Sequence, residues 1–96
     1  MIESSISGIA ADQLRMQVSA HNTANLSTED ARAQRVTQQE LPHSSGVQAS
    51  VVITESRPDI ITESVEQIYT PQSLRANVNA VKTENEMQQE ALDLFG

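Results

Sequence analysis

The stretch Ser19-Ala20-His21-Asn22-Thr23-Ala24-Asn25-Leu26-Ser27-Thr28, SAHNTANLST, closes a run of apolar residues at helical spacing. It ends in two asparagines around a small alanine, where glycine is the usual stop. Asparagine near a helix end satisfies orphan carbonyls or takes the left-handed cap conformation, and Asn25 followed by Leu26 fits a C-cap with a hydrophobic contact behind it. The same residues also leave the last turn small and amide-rich, which suits close packing against another backbone through specific hydrogen bonds. Both readings end a helix here.

Upstream, Ile2, Ile6, Ile9, Gln13, Met16, Ala20 and Thr23 follow one another in steps of four and three, a heptad seam widened by Ala10, Leu14 and Val18. Ser4 or Ser5 can cap the first turn. The spacing predicts a helix over 3–25, about 35 Å long. At the other end Leu74, Val78, Val81, Asn85, Gln88, Leu92 and Phe95 step in the same way, and Pro71 followed by Ser73 supplies a start signal, so a second helix is predicted over 73–95. Neither helix can bury its narrow stripe alone. Antiparallel packing of the two satisfies both.

The intervening 26–72 has a different texture. Ser44-Ser45-Gly46 is a turn signal, and Val47-Gln48-Ala49-Ser50-Val51-Val52-Ile53-Thr54 places Val47, Ala49, Val51 and Ile53 on one face of a half-buried strand. Arg32 to Leu41 is its candidate antiparallel partner, with Pro42 to Gly46 as the hairpin loop. Ile60-Ile61, Val65 and Ile68-Tyr69 fit a helical turn or a strand equally well. The expected fold is one α+β domain over 1–96, mainly α: two long terminal helices packed antiparallel as a coiled-coil-like pair, with a small β hairpin and an irregular segment between.

A chain of 96 residues with one tyrosine, one phenylalanine and no tryptophan must build any core from aliphatic side chains, and a deep catalytic cleft is not expected. Its net charge of -7, from 6 basic and 13 acidic residues, argues against nucleic acid and anionic membrane surfaces as partners. No segment approaches the roughly 18 apolar residues of a spanning helix. Glu3, Asp12 and Arg15 interrupt what a cleavable signal peptide would need, so export by the standard secretory route is not expected. Without cysteine there is neither a disulfide framework nor a zinc-thiolate site.

Chemistry is sparse. The two histidines, His21 and His43, fall on different elements and not at the i,i+4 spacing of a metal pair. There is no Gly-rich phosphate loop and no nucleophile elbow. Glu86, Glu90 and Asp93 follow one helix face, which reads as a solvated face. No catalytic, cofactor or metal site is predicted.

Ser7-Gly8-Ile9-Ala10-Ala11, Arg15-Met16, Val18-Ser19-Ala20, Asn22, Ala24-Asn25-Leu26 and Thr28 resemble the N-terminal signature of the bacterial flagellar axial proteins, the basal-body rod, hook and hook-associated family. That motif runs small-Gly-Leu-x-Ala-x-x-x-x-Leu-x-x-x-Ala-x-Asn-x-Ala-Asn-x-x-Thr. Asn77-Val78-Asn79-x-Val81, with Met87 beyond, resembles the start of the family's C-terminal helix, and Gly46-Val47-x-Ala49-x-Val51 resembles the preceding strand of the short rod proteins. The chain departs from the pattern after Thr28, where Glu29-Asp30-Ala31 replaces the usual Pro-Gly-aromatic turn, and its last helix is expected to be shorter than the family's.

The resemblance implies a structural, non-enzymatic subunit of the proximal-rod type in the periplasmic flagellar basal body, exported by the type III apparatus without a cleavable signal. It implies self-association and contacts with other rod and hook-basal-body subunits, no nucleic acid and no direct membrane insertion. The residues expected to carry helix packing and assembly are Ile6, Ile9, Met16, Ala20, Leu74, Val78, Val81, Leu92 and Phe95; those carrying the family motif are Ser7, Gly8, Ala20, Asn22, Ala24, Asn25, Thr28, Asn77 and Asn79. The alternatives are a non-polymerising rod-like paralogue acting as an adaptor or regulator of flagellar assembly, and, more remotely, a small enzyme.

Overall fold

A computed structural model of the chain describes residues 2–44 and 46–95, without the side chains of Ile2 and Ser44. Ser45 of the predicted turn therefore lies outside the described residues. Helix α1 spans Ile2–Ala24, strand β1 Gln34–Glu40, strand β2 Val47–Ile53 and helix α2 Ile60–Phe95. The two helices pack against each other, and the antiparallel β-hairpin packs chiefly on α1. The molecule is elongated, 63 × 26 × 14 Å.

Helix α1 ends where the asparagines place it. The Asn25 side-chain amide donates to the His21 carbonyl at 2.8 Å, and the Asn25 N–H reaches the His21 and Asn22 carbonyls at 3.2 and 3.1 Å. The turn that follows is built without Pro-Gly. Asp30 takes the left-handed conformation, φ 61°, a position a short polar residue tolerates, and the Arg57 guanidinium donates to the Leu26 and Thr28 carbonyls at 3.2 and 3.0 Å.

The strands pair from Gln34 with Ile53 to Glu40 with Val47. A one-turn 3₁₀ segment, Pro42–Ser44, connects them, with His43 at φ 63°. Beyond the open end, the Ala33 N–H donates to the Ser56 carbonyl at 2.7 Å and the Thr54 N–H to the Ala33 carbonyl at 2.9 Å. Val47 and Ala49 are half-buried, as the alternation predicts, whereas Val51 and Ile53 are 43% and 63% exposed because the hairpin lacks a layer over that end.

The second helix differs from expectation in length. It begins at Ile60 instead of residue 73, runs 36 residues and carries Pro71 inside. Its start is Asp59, whose carboxylate accepts the Thr62 N–H at 3.4 Å and the Thr62 hydroxyl at 3.1 Å, while its carbonyl accepts the Glu63 N–H at 3.0 Å. This is an N-cap. Proline inside a helix costs about 3 kcal/mol. Here Glu63 and Gln67 on one side of Pro71, and Ser73 and Asn77 on the other, all bond to α1, so tertiary contact holds both halves in one helix. Asn77-Val78-Asn79 consequently sits mid-helix and not at a helix start.

At the standard rise α2 is about 54 Å long against about 34 Å for α1. The pairs Arg15 with Glu66, Asp12 with Ser73 and Asn77, and Ser19 with Gln67 run in opposite directions along the two helices, so the packing is antiparallel. The residues from Gln88 to Phe95 are all exposed.

Candidate assembly surfaces

Asn22, Ser7, Asp12 and Gln67 anchor four polar fasteners between α1 and the hairpin or α2, beside Arg15, which bonds to Gln38 and pairs with Glu66, and the predicted motif residues take part in most of the four. Asn22 is fully buried. Its Oδ1 accepts the Gln34 N–H at 2.8 Å and its Nδ2 donates to the Gln34 carbonyl at 2.9 Å, so the side-chain amide pairs with β1 as a neighbouring strand would. The same Nδ2 donates to Glu63 Oε2 at 3.2 Å, which ties in α2.

Glu63, 1% exposed, is also bridged to Arg35 at 3.2 Å. A buried carboxylate persists only when paired, and Oε2 has both partners. Oε1 has none among the described residues, and Glu63 lines a void of about 10 Å³ together with Asn22, Gln34 and Arg35. That is about the space of one water.

At the other end of the hairpin the Ser7 hydroxyl accepts the Val47 N–H at 3.0 Å and donates to the Ser4 carbonyl at 2.9 Å. Gly46, φ 116°, lets the chain pass against this hydroxyl; a Cβ there would collide with the Ser7 side chain and press on the Ser4 backbone. Along the helix pair, buried Asp12 accepts the Ser73 hydroxyl at 2.9 Å and the Asn77 amide at 3.3 Å. Gly8 makes room for Asn77, whose Nδ2 would lie 2.8 Å from a Cβ at that position. The fourth fastener is Gln67, whose amide donates to the Ser19 and Thr23 hydroxyls at 3.2 and 2.9 Å.

The motif residues therefore divide. Ser7, Gly8, Asn22, Asn25, Thr28 and Asn77 act within the chain, whereas Ala20, Ala24 and Asn79 are exposed. The predicted packing seam is not the buried contact of the single chain. Ile9, Leu74 and Val81 are half-buried, while Ile6, Met16, Ala20, Val78, Leu92 and Phe95 are exposed, the last two at 70% and 92%. Among the described residues the buried positions are Ala11, Asp12, Val18, Ser19 and Asn22 of α1, Ala33, Pro58, and Glu63 and Thr70 of α2.

Sequence reasoning passed over Asp12, Ser19, Glu63, Gln67 and Ser73. The available signal was that Asp12 and Ser19 lie seven apart beside Ala11 and Val18, on the flank next to the apolar seam.

Among the described residues no group of three or more His, Cys, Asp or Glu side chains is placed to hold a metal ion, and no described helix is long and apolar enough to cross a membrane. No protein-family model matches the chain, and no curated protein matches it.

Proposed function

We propose that the chain is a structural, non-enzymatic subunit of an axial assembly, a rod-type component of the bacterial flagellar basal body that works through helix packing with further copies and with neighbouring rod and hook-basal-body subunits. Its place of action is the periplasmic rod, reached by type III export. The observation that carries the reading is the division of labour along the two helices. Ser7, Gly8, Asn22 and Asn77, all within the stretches that resemble the axial family, fix one arrangement of helices and hairpin. Large apolar side chains on the same helices, Ile6, Met16, Val78, Leu92 and Phe95 among them, are left outside it. Large apolar side chains left in solvent on both helices are available for contacts with further subunits.

Sedimentation velocity over a wide concentration range, with far-ultraviolet circular dichroism on the same samples, tests the proposal. Growth to large, open-ended species is expected. A helical species of one small size at every concentration would refute polymerisation and favour the adaptor.

A further inference from the structure

Strand β2 keeps a free edge. The Thr54 N–H bonds across the hairpin to the Ala33 carbonyl, so the alternation of an antiparallel ladder turns the N–H and C=O of Val47, Ala49, Val51 and Ile53 away from β1. Two side chains of α1 follow that alternation. Ser7 takes the outward N–H of Val47, and Asn22 takes both outward groups of Gln34, which stands opposite Ile53. Helix α1 thus crosses the hairpin from the β2 edge at its turn end to the β1 edge at its open end. The outward groups of Ala49, Val51 and Ile53 are left without a partner among the described residues.

This edge has none of the devices that keep strands from pairing. Val47 to Ile53 holds no charged residue and no proline, and its register with β1 is unbroken by a bulge. Beside the edge a trough of about 370 Å³ lies over α1, with Ala10, Leu14, Val47 and Ala49 in its lining and no charged side chain. Ile53 is on the same face of β2 as Val47 and Ala49, yet it is 63% exposed.

We propose that β2 pairs antiparallel with β2 of a second copy about a two-fold axis at Val51, joining two hairpins into one four-stranded sheet. An open backbone edge is satisfied by an extended strand and not by a helix, and the sequence of this edge fits its own copy. In that register Ala49 faces Ile53 of the other copy, Ser50 faces Val52 and Val51 faces itself, so off the axis a small side chain meets a large one. The facing residues Ala49, Val51 and Ile53 exchange both their N–H···O bonds. Ile53 of each copy then lies against Ala49 of the other, over the trough that Ala10 and Leu14 line, which covers the side chain the single chain leaves in solvent. The diagonal course of α1 puts the two α1 helices at opposite ends of the joint. No charge enters the joint, which lets two chains of net charge -7 meet there.

The strip is smaller than the roughly 800 Å² per partner of a standard stable interface, so the pair is reversible. It is isologous and closed, adds no third copy, and does not rest on the axial-assembly reading.

The chain has no cysteine, so introduced thiols report only the pairs they are placed to report. Ser50→Cys and Val52→Cys are at exposed positions, and within the chain they face Thr37 and Arg35. Under mild oxidation an equimolar mixture of the two variants is expected to give mixed cross-linked dimer well above the statistical ratio to the self-linked species. Adding Ile53→Lys, which sets a charge on the edge, should abolish the cross-link with the far-ultraviolet circular dichroism unchanged. In the parent the Ala49, Val51 and Ile53 amides should exchange more slowly as concentration rises. A statistical ratio of mixed to self-linked dimer would overturn the register and with it the two-fold pair. No cross-link at any concentration, with those amides exchanging freely, would overturn the pair and leave the edge to a strand of another protein. Growth to open-ended species in sedimentation would stand in either case, so failure of the pair is distinct from failure of the axial reading.

Discussion

Replacing Asn22 should cost a large part of the stability of this chain. In Asn22→Ala the Gln34 N–H loses its side-chain acceptor, the Gln34 carbonyl loses one of its two side-chain donors and keeps Arg35, and Glu63 loses one of its two donors. Two neutral hydrogen bonds at about 1 kcal/mol each and one to a charged group at about 1.5–3 sum to roughly 3.5–5 kcal/mol. Water reaching the partly buried Gln34 recovers some of this, leaving about 3 kcal/mol. A domain of this length has roughly 5–15 kcal/mol in total. With a urea slope of about 1.5 kcal/mol/M the midpoint should fall by about 2 M at an unchanged slope.

Asn22→Asp sharpens the test. It keeps the acceptor for the Gln34 N–H but removes both donor contacts and sets a second carboxylate beside Glu63, so at pH 7 it should be less stable than Asn22→Ala. Burial and the like charge raise the folded-state pKa of the introduced carboxyl above its unfolded value. Such a group gives its best stability at low pH and loses it as pH rises, so the deficit should shrink between pH 7 and pH 4. A midpoint shift under about 0.4 M for Asn22→Ala, or a deficit for Asn22→Asp that does not change with pH, would refute the role given to this amide.

Five further substitutions probe the remaining contacts. Gly46→Ala forces a side chain onto φ 116° and into the Ser7 hydroxyl; a loss of about 2–4 kcal/mol and faster hydrogen exchange at Val47 are expected, read by urea melts and amide exchange. Gly8→Ala gains about 1 kcal/mol of helix propensity but displaces the Asn77 amide from Asp12, so it should be close to neutral alone and stabilising in an Asn77→Ala background, a coupling that a double-mutant cycle measures directly. Leu92→Ser and Phe95→Ser should leave dilute-solution melting within about 0.5 kcal/mol of the parent, whereas Val18→Ala, at a 7% exposed position, should cost about 1–2 kcal/mol.

The elements legible in the sequence were those specified by local signals. Asn25 stops α1 through its own amide, and the alternation from Val47 to Ile53 gave the strand and, with the turn residues, its partner. The start of α2 was missed because Pro71 is a strong local breaker and the periodicity of 60–69 was ambiguous. What overrides the proline is contact with α1 on both sides of it, and no local signal encodes that. The buried face of the single chain was hidden for a related reason. Heptad spacing locates an apolar stripe, but the face that is buried here carries Asp12, Ser19 and Asn22, residues whose value depends on partners 12 to 65 positions away.

That polar interior has a consequence for assembly. Among the described residues the buried apolar side chains are Ala11, Val18, Ala33 and Pro58, beside buried Asp12, Ser19, Asn22, Glu63 and Thr70. Hydrogen bonds fix direction well but contribute only about 1 kcal/mol each net, so the isolated chain has a defined geometry and a small margin of stability. Any contact that covers the exposed ridge of Ile61, Val65, Ile68 and Tyr69 on α2 adds the apolar burial the single chain lacks. By mass action a copy docked at a hundred times its dissociation constant stabilises the fold by about 2.7 kcal/mol. The melting temperature should therefore rise with protein concentration. In Ile68→Asp, where a charge stands on the exposed ridge, the dilute melting temperature should match the parent and the rise with concentration should shrink. A concentration-independent melting temperature in the parent, measured across the range where sedimentation detects association, would show that assembly does not draw on this surface.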